Sequence, residues 1–315
     1  MTAAGRPTIV AGVDCGTNSL RLLVAEFRDG EFTELHRELR IVRLGEAVAE
    51  TGRLSEAALQ RTDTALADYA ATIRRLGAER VRFVATSAAR DAANRDRLVD
   101  VVRRRLGIVA EIVSGAEEAA LSLRGALAVA RNQPDGTSVL VVDIGGGSTE
   151  LVVGAVGTDL PGAAVSLDIG CVRLTELYLH DDPPTADHAQ ALRRAVHKQL
   201  DTVEPAIRAA AAGLVVGVAG TVTTIAALAR RLVVYDRSIV HGTELTTSDI
   251  ALTTERLVRA SHAERVAMTV IHPGRVDVIT AGALILSCVV EWGHVRRVVV
   301  SESDILDAIA ASTLD

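Results

Sequence analysis

Lysine is almost missing from this chain. Lys198 is the only one, so nearly all of the 34 basic side chains are arginines. A Walker-type nucleotide loop requires the pattern GxxxxGK[ST], and this pattern does not occur in the sequence. The phosphate-binding loop of that large class of NTPases is therefore excluded.

Cysteine, long apolar runs and excess positive charge are scarce as well. The three cysteines have no metal-ligand spacing and are expected to be reduced thiols. The sequence has no signal-peptide pattern and no apolar run long enough to cross a bilayer, which predicts a cytoplasmic protein without a membrane partner. The net charge of −6 argues against nucleic acid as a partner.

The length and composition fit two compact domains. The chain has 315 residues, of which 49% are hydrophobic and 23% are charged. Long helical patterns alternate with short apolar runs, which is typical of α/β domains. Helices are predicted over residues 55–76, 115–130, 185–212 and 275–291. The polar segment ARNQPDGTS (130–138) suggests a first domain of residues 1–130 and a second of 131–302, with the last helix (303–315) packing on the first.

One sequence pattern occurs twice. The segment IVAGVDCGTNSLRLLVAEF (9–27) parallels VLVVDIGGGSTELVVGAV (139–156), and each consists of a strand, Asp-x-Gly-x-x-Ser and a second strand. The aspartates of the two copies are Asp14 and Asp143. Because each strand leads through glycine into another strand, both copies are predicted to be tight β-hairpins.

Glycine turns of this kind can bind phosphate. Glycine brings backbone N–H groups close to an anion, serine adds a hydroxyl donor, and the aspartate can hold a divalent cation. The alternative is that each turn only connects two strands and is capped by its aspartate. Two copies favour phosphate binding, and two such turns facing each other across a cleft are typical of the actin, heat-shock ATPase and sugar-kinase superfold.

Several ordered motifs extend over nearly the whole chain. They are DCGTNSLRLL (14–23), TSAARDAANRDRL (86–98), SGAEEAALS (114–122), DIGGGSTEL (143–151), IGCVRLTE (169–176), VAGTVTTIAAL (218–228), HPGRVDVITAGALIL (272–286) and SESDILDAIA (301–310). Together they resemble the exopolyphosphatase and guanosine pentaphosphate phosphohydrolase (Ppx/GppA) family. The resemblance implies an α/β fold of two actin-like (ribonuclease H-like) domains and removal of a terminal phosphate from a phosphoanhydride chain.

The resemblance also implies roles for individual residues. Glu118 would be the general base, and Arg90 would be a catalytic cation that binds phosphate. Asp143 and Glu150 would hold Mg²⁺. A monovalent cation could be a second cofactor. The remaining phosphate-binding residues would be Asp14, Gly16, Thr17, Asn18, Ser19, Gly145, Gly146, Gly147, Ser148, Gly220 and Thr221.

Each role has a structural alternative. Glu117 and Glu118 could do no more than complement the helix dipole. Arg90 could be a solvated surface residue, and Glu150 could point outward from its strand.

The leading functional hypothesis is an exopolyphosphatase acting on inorganic polyphosphate. Longer family members carry additional C-terminal domains that this sequence does not contain. Without them a grip on long polymers is not expected, which favours short polyphosphate as the substrate. Guanosine pentaphosphate is the alternative substrate. A binding protein or nucleotide switch without hydrolysis, and a sugar kinase, are hypotheses of other classes. An apolar composition with few aromatic residues suggests a homodimer.

Overall fold

The computed structural model describes residues 6–29, 31–158 and 160–314. The chain divides into two compact units. The first contains the described residues up to Ser114 and those from Ile305 onward, and the second runs from Gly115 to Asp304. This division assigns the helix that starts at Gly115 to the second unit, whereas the sequence-based boundary at residue 130 places it in the first. The polar segment used for that boundary follows the helix rather than preceding it.

Each unit is built on one mixed sheet. The strands, in chain order, are β1 (Thr8–Cys15), β2 (Ser19–Arg28), β3 (Glu31–Ile41), β4 (Arg80–Ala85), β5 (Glu111–Ile112), β6 (Ser138–Ile144), β7 (Thr149–Ala155), β8 (Ala163–Leu167), β9 (Leu214–Val218), β10 (Glu244–Thr246) and β11 (Arg297–Val300). The first sheet has the order β3-β2-β1-β4-β5 and the second β10-β11-β9-β6-β7-β8. In both, three antiparallel strands are followed by two strands that pair in parallel. In the second sheet, β10 then pairs antiparallel with β11 at the edge.

Helices pack on these sheets. They are α1 (Val48–Thr51), α2 (Glu56–Leu76), α3 (Ser87–Asp91), α4 (Asp96–Leu106), α5 (Gly115–Ala126), α6 (Cys171–Tyr178), α7 (Ala186–Leu200), α8 (Pro205–Ala210), α9 (Ala219–Ala229), α10 (Arg237–Val240), α11 (Thr247–Arg259), α12 (His262–Ala267), α13 (Ile279–Trp292) and α14 (Ile305–Ala311). Short 3₁₀ turns follow α5 (Leu127–Ala130) and precede α13 (Pro273–Arg275).

The first unit has its core between its sheet and the helices α2 and α4. On α2, the hydroxyl of the buried Tyr69 donates to the backbone oxygen of Leu20 on β2 at 2.9 Å. The helix α14 packs against β1, β2 and β4 of the same unit. Its approach is close, because a Cβ on Gly12 would lie 2.8 Å from the backbone nitrogen of Ala310.

The second unit has the larger core. The helix α13 is buried over almost its whole length and packs against α7, α9 and α11. On the other side of the sheet, α5 packs against β7 and β8, where Leu123 lies against Gly154. The glycine makes this contact possible, since a Cβ at Gly154 would lie 2.6 Å from Leu123 Cδ1.

Some helix boundaries differ from the sequence-based predictions. The single helix predicted over 185–212 is wrong, because α7 ends at Leu200 and α8 begins anew at Pro205. Proline lacks the N–H that would continue the helix and is favoured at a helix start. The helix predicted from residue 275 begins only at Ile279. No helix of the described residues is long and apolar enough to span a membrane.

The predicted fold class is confirmed. The first sheet has the order β3-β2-β1-β4-β5, and the second repeats this arrangement as β8-β7-β6-β9-β11, with β10 added at its edge. These are two actin-like (ribonuclease H-like) α/β domains.

Candidate active site

The two repeated segments form two hairpin turns with the same internal geometry. In the first unit, the amide of Gly16 donates to Ser19 O at 2.9 Å, and in the second the amide of Gly145 donates to Ser148 O at 3.0 Å. Both turns connect antiparallel strands, β1 to β2 and β6 to β7. The predicted pair of glycine hairpins is therefore confirmed.

The two hairpins differ at the residue that faces the aspartate. In the first, Asp14 pairs in register with Arg21, whose Nε and Nη2 lie 2.8 and 2.6 Å from Asp14 Oδ2. In the second, Asp143 pairs in register with Glu150. Residues directly opposite on antiparallel strands share a face, and like charges there destabilise the sheet. The second hairpin thus brings together two carboxylates where the first has an ion pair.

A third acid joins this pair. Glu118 on α5 and the two hairpin acids are all buried, with 7% of Glu118, 6% of Asp143 and 1% of Glu150 exposed. The pKa of Glu150 lies well above its usual range, first because burial removes the carboxylate from water and then because Glu118 and Asp143 are negatively charged neighbours. Hydrogen bonds from Ser166 and Ser148 oppose this shift. The burial of Glu150 excludes the outward-pointing alternative.

The two adjacent glutamates of α5 have different environments. Glu117 is exposed, whereas Glu118 is buried near Asp143 and Glu150. Successive side chains on a helix diverge by about 100°, so only one of them can face the acid cluster. This geometry places Glu118, rather than Glu117, beside Asp143 and Glu150.

The acid cluster fits a magnesium ion. Within the described part of the chain, no three His, Cys, Asp or Glu side chains form a metal cage. Mg²⁺ does not require one, because it is usually bound by one or two carboxylates together with waters and substrate phosphates. Two buried carboxylates on adjacent strands, next to a glycine turn, are a donor set of this kind.

Replacing Glu150 with glutamine is expected to stabilise the metal-free protein at neutral pH. The folded-state pKa of Glu150 is raised, so the folded chain binds a proton that the unfolded chain has already lost. Ionisation of Glu150 therefore lowers stability as the pH rises from about 4, the pKa of an unperturbed glutamate, through the folded-state pKa. Glutamine has no charge and can still accept the hydrogen bond of Ser166, which lies 2.7 Å from Glu150 Oε1.

Thermal unfolding in EDTA between about pH 4 and pH 8 tests this expectation. The stability difference between Glu150→Gln and the unmodified chain should grow with pH and disappear near pH 4. A variant that is less stable at every pH would contradict it.

The turn at 145–148 is held from one side by the start of α6. The carbonyl of Gly145 accepts from Cys171 N at 2.9 Å, and that of Gly146 accepts from Val172 N at 2.9 Å. The carbonyl of Gly147 accepts from Arg173 Nε at 2.8 Å. In a trans peptide the N–H points opposite to the C=O. The amides of Gly146, Gly147 and Ser148 therefore point away from α6 and form a row of donors suited to an anion.

The third glycine motif lies close to this turn. Gly220 is in the first turn of α9, and a Cβ there would lie 2.1 Å from Cζ of Arg275. Thr221 is buried and hydrogen-bonds to the thiol of Cys171. Burial raises the pKa of Cys171 to about 11, despite the lowering effect of Arg275, so this thiol stays protonated at neutral pH. The structure thus groups Gly220 and Thr221 with the start of α6.

In the first unit, the equivalent turn is held by its own neighbours. Thr17 Oγ1 and Ser87 Oγ are hydrogen-bonded at 2.9 Å, and Asn18 O accepts from the amide of Arg43 at 2.9 Å. Arg90, in the last turn of α3, is half-buried, and its Nη1 donates to Val113 O at 3.1 Å. The structure therefore places Arg90 against the backbone of its own unit, with part of its side chain exposed.

Some residues that contact the candidate site residues have no role in the sequence-based hypothesis. Ser122 bonds to Asp143, Ser166 bonds to Glu150, and Arg275 lies over Gly220. Ser122 could have been found from its spacing, because it follows Glu118 by one helical turn. Ser166 gives no local signal, because its partner lies on a neighbouring strand. Two histidines of the second unit make local hydrogen bonds to the backbone: His241 Nδ1 accepts from Glu302 N, and His272 Nδ1 accepts from Gly274 N.

Comparison with known proteins identifies the family. An exopolyphosphatase 2 of Mycobacterium tuberculosis is 46% identical over 321 residues, which covers 97% of this chain and 98% of that protein. The crystal structure of an exopolyphosphatase-like protein superposes with a TM-score of 0.90 at 38% identity and covers 98% of both chains. A guanosine-5'-triphosphate,3'-diphosphate pyrophosphatase of Vibrio vulnificus is 33% identical over 222 residues. This alignment covers 70% of this chain but only 44% of that protein. The Ppx/GppA phosphatase family matches residues 23–305, and the chain belongs to this family.

Proposed function

We propose that this chain is an exopolyphosphatase that releases terminal orthophosphate from inorganic polyphosphate. The buried cluster of Glu118, Asp143 and Glu150 beside the glycine turn is the observation that carries the proposal. Phosphoryl transfer depends mainly on positioning and charge stabilisation, and the cluster and the turn offer both. The 46% identical exopolyphosphatase of similar length supports the same activity.

The second unit supplies a general base and an anion site. Glu118 takes a proton from the attacking water, whose oxygen bonds to the terminal phosphorus while the bridging P–O bond breaks, so that the shortened chain leaves with the bridging oxygen. The amides of Gly146, Gly147 and Ser148 hold the oxygens of the terminal phosphate. Asp143 and Glu150 would hold Mg²⁺, which neutralises the charge on the phosphate oxygens when it is bound. The conjugate acid of Glu118 then returns its proton to solvent.

The first unit has its own assigned residues. By family resemblance, Asp14, the turn from Gly16 to Ser19 and Arg90 bind phosphate. Gly220 and Thr221 of the second unit are assigned in the same way. Asp14 takes part indirectly, because its carboxylate is held by Arg21 and its proposed effect is to fix the phosphate-binding turn that follows it. An arginine with a bidentate fork suits phosphate, and Arg90 is the candidate.

Phosphate release from a defined substrate panel tests the activity. The purified chain is given Mg²⁺ and triphosphate, short polyphosphate, long polyphosphate or guanosine pentaphosphate, and free orthophosphate is measured. We expect release from polyphosphate that requires a divalent cation and stops on addition of EDTA. No release from any of the four substrates would refute the proposal.

Guanosine pentaphosphate is the second candidate substrate. The identity to the Vibrio vulnificus pyrophosphatase favours it, although the chain spans less than half of that protein. Both substrates end in a phosphoanhydride, so the same groups could act on either. The ratio of kcat/KM for polyphosphate and guanosine pentaphosphate decides between them, and the same panel tests the expected preference for short chains.

The homodimer and the monovalent cation also belong to this proposal. Light scattering at several protein concentrations measures the oligomeric state, and activity in K⁺, Na⁺ and tetramethylammonium buffers measures the monovalent requirement. A constant monomer mass at all concentrations would refute the homodimer. Equal activity in the three salts would refute the monovalent-cation requirement.

A further inference from the structure

The helix α5 presents two buried polar side chains one turn apart. Glu118 and Ser122 are four residues apart and therefore lie on the same face of the helix. Ser122 is fully buried, and its hydroxyl donates to Asp143 Oδ2 at 2.5 Å. This distance is at the short end for a hydroxyl bound to a carboxylate, where such bonds are strong.

The partner of Ser122 is unusual for a serine within a helix. A helical serine hydroxyl commonly bonds to the carbonyl one turn before it. The hydroxyl of Ser122 instead bonds to a carboxylate 21 residues away in sequence, on the strand β6. The bond therefore connects the helix that carries Glu118 with the strand that carries Asp143.

Close glycine contacts fix α5 at both ends. A Cβ on Gly115, the first residue of the helix, would lie 2.8 Å from Cβ of Ser166, and Ser166 in turn bonds to Glu150. Near the other end, a Cβ on Gly125 would lie 1.9 Å from Asp304 O. The helix therefore cannot shift along its axis without disturbing its neighbours, and Ser122 keeps a defined position.

We propose that Ser122 is a positioning residue that orients the carboxylate of Asp143 for a divalent cation and fixes it relative to Glu118. This inference rests on the proposed function, in which Asp143 is a magnesium ligand. Hydrogen-bond partners of metal ligands typically contribute 10- to 100-fold to metal affinity. Loss of the Ser122 hydroxyl should therefore weaken Mg²⁺ binding without removing any ligand.

Calorimetric titration of the full chain with Mg²⁺ alone tests this inference. We expect Ser122→Ala to raise the Kd for Mg²⁺ by about 10- to 100-fold, and Ser122→Thr, which keeps a hydroxyl, to restore most of the affinity. Ser287→Ala is the matched control, because Ser287 is also buried in a helix and donates to a carboxylate, Glu291 Oε1, at 2.9 Å. Its Kd should equal that of the unmodified chain.

A double-mutant cycle with Asp143→Asn separates positioning from a general structural effect. If Ser122 acts through Asp143, the change Ser122→Ala should alter Mg²⁺ affinity much less in the Asp143→Asn background than in the unmodified chain. This comparison stays informative even if Ser122→Thr does not fold, since it uses only smaller or isosteric side chains.

The results distinguish this inference from the proposed function. Unchanged Mg²⁺ affinity in folded Ser122→Ala, or an equal loss in both backgrounds, would overturn the role of Ser122 while leaving the hydrolase assignment intact. Absence of phosphate release by the unmodified chain would refute the hydrolase, while the magnesium titration would still decide the role of Ser122.

Discussion

Replacing Glu118 with alanine is expected to lower kcat for polyphosphate by about 10²- to 10⁴-fold, the usual contribution of a general base. Glu118 is buried beside Asp143 and Glu150, and in the proposed mechanism it takes the proton of the attacking water. Glu118→Gln should lose a similar factor, because the amide keeps the shape of the side chain but cannot accept a proton. Initial rates at saturating substrate and Mg²⁺ measure the effect.

Glu117→Ala is the matched control for this prediction. Glu117 is the preceding residue of the same helix and is exposed, so its removal should change kcat by less than about twofold. Equal losses of kcat in the two variants would mean that both reflect the loss of a charge at the start of the helix, and not the loss of a general base. If substrate binds but the unmodified chain releases phosphate only at a background rate, and Glu118→Ala leaves that rate unchanged, a binding protein or switch becomes the better assignment.

The sequence predicts the local features of the site well. The two hairpins are visible because each is a contiguous segment with its own glycine turn. Helix geometry predicts that Glu117 and Glu118 point in different directions, and the family resemblance selects Glu118 of the two. The contrast between Arg21 and Glu150 could also have been read by aligning the two repeated segments, since both occupy the seventh position after their aspartate.

The features that depend on distant parts of the chain are harder to predict. Ser122 and Ser166 have ordinary sequence surroundings, and only the fold brings them to Asp143 and Glu150. The helix α6 is short and begins after Gly170, so its apolar pattern is too brief to indicate a helix. Its position under the turn 145–148 depends on tertiary packing, which no local pattern encodes.

The space at Gly170 leads to the second large expected effect. The backbone of Gly170 is extended, with φ −116° and ψ 158°, so its conformation does not require glycine. However, a Cβ there would lie 2.3 Å from Gly146 O and 2.4 Å from the carbonyl carbons of Gly146 and Gly147. These are backbone atoms of the turn 145–148, which cannot rotate aside as a flexible side chain can.

Gly170→Ala is therefore expected to displace the turn that is proposed to hold phosphate. Overpacking of this kind typically costs about 1–3 kcal/mol of stability. A shift of about 1 Å in a positioning group can reduce the rate by about 10²-fold, so we expect kcat to fall by at least this factor. Thermal unfolding and initial-rate measurements on the same preparation give both quantities.

Gly162→Ala is the matched control, because the same methyl group is added to the same unit where there is room for it. The nearest atom to a Cβ on Gly162 is Val153 O at 3.8 Å, an ordinary contact distance. This variant should keep the rate and stability of the unmodified chain. If Gly170→Ala behaves like this control, the turn tolerates displacement, and its amides cannot be the groups that position the terminal phosphate. A loss of stability in Gly170→Ala without a loss of rate would lead to the same conclusion, because the turn would then matter for folding alone.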